Sequence, residues 1–132
     1  MKVNLQDPNP AVSFDLPGGG MIKIRPLAEG PLREILKQVE KKRVEYKEDR
    51  LGNLQRIEYT ERDEEKYSEL LWDYCIVDWE GIEDVDGSPV PCTSENKQIL
   101  MRQSPEFSAV VGRFIDQLNR DEANRLEDEI KN

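Results

Sequence analysis

Histidine is absent from the 132 residues. That absence excludes Ser-His-Asp and Cys-His nucleophile pairs, histidine-held zinc and imidazole proton shuttles, and leaves carboxylate, amine and thiol chemistry. Cysteine is scarce: Cys75 and Cys92 form neither a CxxC pair nor a zinc cage, so both read as reduced thiols. No segment approaches the roughly 20 consecutive apolar residues of a membrane span, and Met1 to Asp7 lack the apolar run of a signal peptide. A cytosolic protein is expected, with no membrane partner. Basic charge is in deficit too, with 19 Lys and Arg against 28 Asp and Glu and a net charge of -9. A polyphosphate would be repelled by such a field, so nucleic acid is not an expected partner.

A chain of this length buries roughly two-thirds of its extended surface on folding, enough for one domain without disulfide or metal. Hydrophobic and charged residues each make up 36%, so the core is modest and much of the surface is solvated. Residues 1–10 end in Asp7-Pro8-Asn9-Pro10, which blocks regular pairing and predicts an extended arm. Val12, Phe14 and Leu16 alternate with polar residues, Pro17-Gly18-Gly19-Gly20 turns the chain, and Ile22 and Ile24 alternate with Lys23 and Arg25. This is the pattern of a β-hairpin over 11–27.

Gly30-Pro31 opens a helix carrying Leu32, Ile35, Leu36 and Val39, and its charged second half, Lys41 to Arg50, is expected to project into solvent as helix until Gly52-Asn53. Leu54 to Tyr59 reads as loop or short strand. Thr60 then caps a second helix whose face is Tyr67, Leu70, Leu71, Tyr74 and Cys75, widened by Trp72, Ile76, Val77 and Trp79. Gly81 to Cys92 is a non-helical excursion with a tight turn at Asp86-Gly87. Thr93 or Ser94 caps a third helix, and Ser104-Pro105 opens a fourth with the stripe Phe107, Val110, Val111, Phe114 and Leu118, continued at Ala123, Leu126 and Ile130. The expected fold over 1–132 is therefore mainly helical α+β: an amino-terminal β-hairpin packed on about four helices in the region 31–130, with a loop at 80–93.

Candidate chemistry is thin. Glu80, Glu83, Asp84 and Asp86 suggest a cation site or a carboxylate-dependent hydrolase, but setting Gly87 as the glycine of a calcium loop puts Ile82 where the first aspartate belongs. Pro17-Gly18-Gly19-Gly20 lacks the Gly-Lys-Ser/Thr of a phosphate loop and leads into a strand. Lys41-Lys42-Arg43 is neutralised by Glu40, Glu45, Glu48 and Asp49, and Trp72, Tyr74 and Trp79 read as core packing before a ligand box. No catalytic residue, metal or cofactor is predicted. The stripe Phe107, Val110, Val111, Phe114 and Leu118 either closes the chain's own core or lies in a partner's groove.

Residues 74 to 111 carry a distinctive order: Tyr74-Cys75-Ile76-Val77-Asp78-Trp79-Glu80-Gly81-Ile82, then Asp86-Gly87-Ser88-Pro89-Val90-Pro91, then Cys92-Thr93-Ser94-Glu95-Asn96, and an apolar helix after Ser104-Pro105. Together with the hairpin ending Ile22-Lys23-Ile24-Arg25-Pro26-Leu27, this resembles the tail assembly chaperones of long-tailed bacteriophages and prophages. The charged insert around 41 to 66 departs from the shorter forms of that family. The resemblance implies a non-enzymatic protein of the host cytoplasm that binds the tape-measure protein and promotes tail-tube assembly, with the tail-tube protein as a second partner. It also implies an architectural role for Trp79, Gly81, Asp86, Gly87, Pro89 and Pro91. The competing expectation is a structural phage component, a connector or tail-completion subunit, retained in the particle. Oligomeric state, a homo-oligomer included, is left open by the sequence.

Overall fold

The structure is a computed structural model that describes the backbone of residues 1–131 and the side chains of residues 1–121. In chain order the elements are β1 (Val12–Asp15), β2 (Met21–Ile24), α1 (Glu29–Val39), β3 (Glu40–Glu48), β4 (Leu54–Arg62), α2 (Glu64–Cys75), β5 (Ile76–Glu80), α3 (Ser94–Gln103) and α4 (Pro105–Lys131). Four helices and five strands in two separate sheets, among the described residues, make an α+β fold and overturn the mainly helical expectation.

The hairpin forms as its alternation dictates, with Phe14 facing Ile22 and Val12 facing Ile24. It gains a third strand, β5, so β2 is central in an antiparallel order β1-β2-β5. The segment Ile76 to Trp79 is thus strand, not a widening of the second helix. β-branched Ile76 and Val77 followed by Trp79 suit a pleated, half-buried surface. Lys23 faces Asp78 while Ile24 faces Ile76, so Val77 is an extra, bulged residue. The bulge changes the side-chain parity and lets residues three apart, Ile76 and Trp79, both turn inward. Ile22, Ile24, Ile76 and Trp79 then meet Val111 of α4 in the central core cluster.

The second departure lies at 40–62. A highly charged helix has no face to pack, whereas Val44 and Tyr46 share one face of a strand and β4 offers Ile57, Tyr59 and Thr60. The chain therefore leaves α1 at Val39 directly into β3, turns at Asp49–Asn53 and returns as β4 in a nine-residue antiparallel ribbon. In the turn the Asp49 carboxylate accepts from the Leu51 and Asn53 backbone N–H groups at 2.9 Å, and Gly52 takes a φ of +81°. Cross-strand charges pair: Arg43 with Glu61 at 2.8 Å and Arg62 with Glu40 at 3.2 Å. The cap of α2 falls at Asp63, whose carboxylate accepts from the Lys66 N–H, and not at Thr60, which lies inside β4. Asp63 also donates its backbone N–H to the Val39 carbonyl at 2.9 Å and so ties the ribbon's root.

α3 is capped by Thr93, one of the two residues the pattern offers, and Ser94 is the first helical residue. The Ser104 hydroxyl accepts from the Phe107 N–H at 3.2 Å at the start of α4. The extended arm is held at Asn9, whose side-chain amide donates to the Pro26 carbonyl at 2.7 Å and to the Tyr74 hydroxyl at 3.2 Å.

Candidate functional site

The stripe of α4 packs inward. Val110 and Val111 are buried, while Phe107, Phe114 and Leu118 are partly buried against the same cluster. Phe114 stacks on Phe14 with ring centroids 4.5 Å apart, and Phe107 meets Trp79 edge-on at 5.7 Å. This face of α4 is thereby occupied by the chain's own sheet. Ala123, Leu126 and Ile130 lie outside the described side chains.

The motif after β5 forms a strap over that core. Trp79 is buried and its indole N–H donates to the Val90 carbonyl at 2.7 Å, which anchors the far end of the strap. Asp86 accepts from the Ser88 N–H at 2.9 Å and from its hydroxyl, Gly87 turns at a φ of +85°, and Pro89 bridges to Glu83. The Pro91 carbonyl takes the Asn96 side-chain amide at 2.9 Å and so joins the strap to α3. Gly81 has a φ of +80° and lies against the hairpin turn: a Cβ there would come within 2.6 Å of the Gly20 Cα. Gly81→Ala adds left-handed strain to a backbone clash, so we expect it to cost roughly 2 kcal/mol, read as a lower melting temperature.

The acidic group of this strap makes no enclosed site. Glu80, Glu83, Asp84 and Asp86 are all exposed, and hydrogen bonds from the Ser88 hydroxyl and N–H hold the Asp86 carboxyl below its usual range, the wrong direction for a general acid. Among the described residues no group of three or more His, Cys, Asp or Glu side chains could hold a metal ion. A groove of about 340 Å³ opens where the hairpin turn meets the α3–α4 corner, with Leu16, Ile82, Leu100 and Phe107 in its lining. Its carboxylates, Glu83 and Glu106, are exposed.

Neither thiol is activated. Burial pushes the Cys75 thiol up to about 11 against the opposing pull of Arg25, and burial also raises that of Cys92. In the folded chain at pH 8, both cysteines should alkylate far more slowly with iodoacetamide than in the denatured chain. Fast native labelling of Cys75 would contradict its placement.

One buried charge was not foreseen from the sequence. Lys97 on α3 is only 6% exposed and directs its ammonium to the Asp73 carboxylate at 3.2 Å and the Asp73 carbonyl at 3.3 Å. The Ser94 hydroxyl donates to the same carboxylate, and that bond, reinforced by Lys97, holds the Asp73 carboxyl below its usual range despite partial burial. This node joins α2 to α3 and is built from the chain's own groups, which marks it as structural.

The largest feature without an internal role is the β3–β4 ribbon. On one face stand Val44, Tyr46 and Leu54, on the other Ile57 and Tyr59, and Leu51 crowns the tip. Leu51 is 86% exposed, Leu54 71% and Tyr46 63%; Val44 and Tyr59 are exposed as well. Nine residues of strand span about 30 Å, so the ribbon carries these side chains well away from the core. Residues 40–62 hold seven basic and six acidic residues, leaving 12 and 22 for the rest of the chain. The ribbon is thus near neutral on a strongly acidic body. The period-2 placement of Val44 and Tyr46 before Gly52-Asn53 was the available signal for it, masked by charges that also suit a helix.

Among the described residues, no helix is long and apolar enough to cross a membrane. No curated protein and no solved structure matches this chain. A family model described as YdaY prophage protein matches residues 30–132, from the start of α1 through the ribbon, strap and α4. That span is well over half of the chain, and the chain belongs to this prophage protein family.

Proposed function

We propose that this prophage protein is a non-enzymatic tail assembly chaperone of the host cytoplasm, which holds the apolar stripes of the tape-measure protein and releases them to tail-tube subunits. The observation that carries the reading is the ribbon: Val44, Tyr46, Leu51 and Leu54 stand exposed on a two-stranded sheet separate from the one that holds the core cluster. A ribbon of this kind is marginal alone, and uncovered apolar side chains on it suit the stripe of a second chain. Binding would follow mass action, with tube subunits competing for the same stripes. The acidic body would keep the loaded complex soluble.

Co-expression with the tape-measure protein of the same prophage tests this. The tape-measure protein should co-purify with the tagged chain and gain soluble yield, and mass spectrometry of finished particles should not find the chain. Failure of capture contradicts the reading, and stoichiometric presence in particles favours a connector or tail-completion subunit instead.

A further inference from the structure

Among the described residues, the two-stranded sheet leaves the outer edge of β4 without a partner, and along its nine residues the backbone N–H and C=O groups of alternate positions, Leu54, Arg56, Glu58, Thr60 and Arg62, face outward. We propose that this edge pairs with the same edge of a second copy of the chain, antiparallel about a two-fold axis at Ile57, giving a four-stranded sheet of order β3-β4-β4-β3.

Symmetry and charge select that register. Paired side chains must point to one face, so a two-fold normal to the sheet always sets one residue opposite itself. Only three centres on β4 give an overlap of seven residues or more: Ile57, Glu58 and Tyr59. Centring on Glu58 sets that carboxylate against its own copy, and centring on Tyr59 sets Arg56 against Arg62. Centring on Ile57 sets Arg56 opposite Glu58 twice, Leu54 opposite Thr60, Gln55 opposite Tyr59 and Ile57 opposite itself, with no like charges facing. Opposite charges directly across an antiparallel pair stabilise it, and like charges oppose it.

The other edge fails the same test. On β3 the centres with equal overlap are Arg43, Val44 and Glu45. The first and last face a charge with itself, and the middle one faces Lys41 with Lys47 and Glu40 with Glu48. Within one copy Arg56 already pairs with Glu58 along β4 at 2.7 Å, so the dimer would close four charges into an alternating square. The same two-fold would bring Val44, Tyr46 and Leu54 of both copies onto one side of the enlarged sheet.

Sedimentation velocity of the purified full chain at rising concentration is the test, with folding checked by circular dichroism. Wild type should show a monomer–dimer equilibrium that weakens with salt. Arg56→Glu and Glu58→Arg should each weaken self-association by about tenfold or more, because each faces like charges in its own dimer. Mixing the two should restore a heterodimer, since the two acidic side chains that one variant carries at these positions then face the two basic ones of the other. An effect confined to one chain cannot be rescued in this way. Ile57→Cys should form an intermolecular disulfide on oxidation, and Tyr59→Cys should not. A wild type that stays monomeric throughout, single variants that dimerise like wild type, a mixture without heterodimer, or cross-linking at Tyr59→Cys in place of Ile57→Cys would each overturn the proposal. Only this chain is present in the experiment, so its failure leaves the tape-measure reading of the ribbon's faces standing.

Discussion

Val111→Asp is expected to unfold the domain. Val111 is fully buried among Ile22, Ile24, Ile76 and Trp79, with no polar partner in that cluster. The substitution forfeits about 2 kcal/mol of apolar burial and adds several more for a carboxyl group left without hydrogen bonds. A total near 5 kcal/mol is comparable to the whole stability of an ordinary domain. Far-UV circular dichroism and a thermal melt read the outcome directly. A cooperative melt at the wild-type temperature would show that α4 does not close the core. Loss of partner capture in a charge variant of Phe107, Val111 or Phe114 would consequently report loss of fold, because these side chains face the sheet.

Asp73→Ala comes next in size. It removes the carboxylate that neutralises a nearly buried ammonium and leaves Lys97 with only the Asp73 carbonyl. Breaking one partner of a buried pair typically costs about 3–5 kcal/mol; the Asp73 side chain is 47% exposed, so about 3 kcal/mol is expected here. Lys97→Met removes the charge and keeps the stem, so it should cost much less, and the difference between the two variants isolates the stranded ammonium. The same node predicts a pH dependence. The Asp73 carboxyl is lowered on folding, so its contribution is complete above the unfolded value near 3.8 and is lost as pH falls through the folded one. Denaturant melts of wild type and Asp73→Asn should converge as pH drops from about 5 towards 3. A gap that stays constant would contradict the assignment.

Where local pattern and tertiary need agree, the sequence was legible. The alternation of Phe14, Ile22 and Ile24, the Gly-rich turn, the Thr93 and Ser104 caps and the stripe of α4 all lie where the residues place them. It was illegible where one segment satisfies two periods. Lys41 to Glu48 offers helical charge spacing and strand alternation at once, and only the partner strand, with Tyr59 opposite Arg43 and Glu61 opposite Lys41, decides between them. Ile76 to Trp79 continued the helical stripe in register, and only the Val77 bulge against β2 lets it serve as strand. The stripe of α4 posed a different problem, since a core face and a docking face share one composition; the pairing of Phe114 with Phe14 shows which surface covers it here. The ribbon, with its exposed apolar side chains, was hidden by the same ambiguity that hid its strands.

Capture of the tape-measure protein by a ribbon variant tests the central claim most directly. Val44→Ser, Tyr46→Ser and Leu54→Ser combined alter exposed positions, so the melting temperature should stay within a few degrees of wild type. Pull-down from co-expressing cells should fall by about tenfold or more with the fold intact, since truncating aromatic and aliphatic anchors that a partner would cover costs about 1.4 kcal/mol or more at the centre of an interface. Undiminished capture by the folded triple variant would contradict the assignment of the ribbon as the surface that meets another chain.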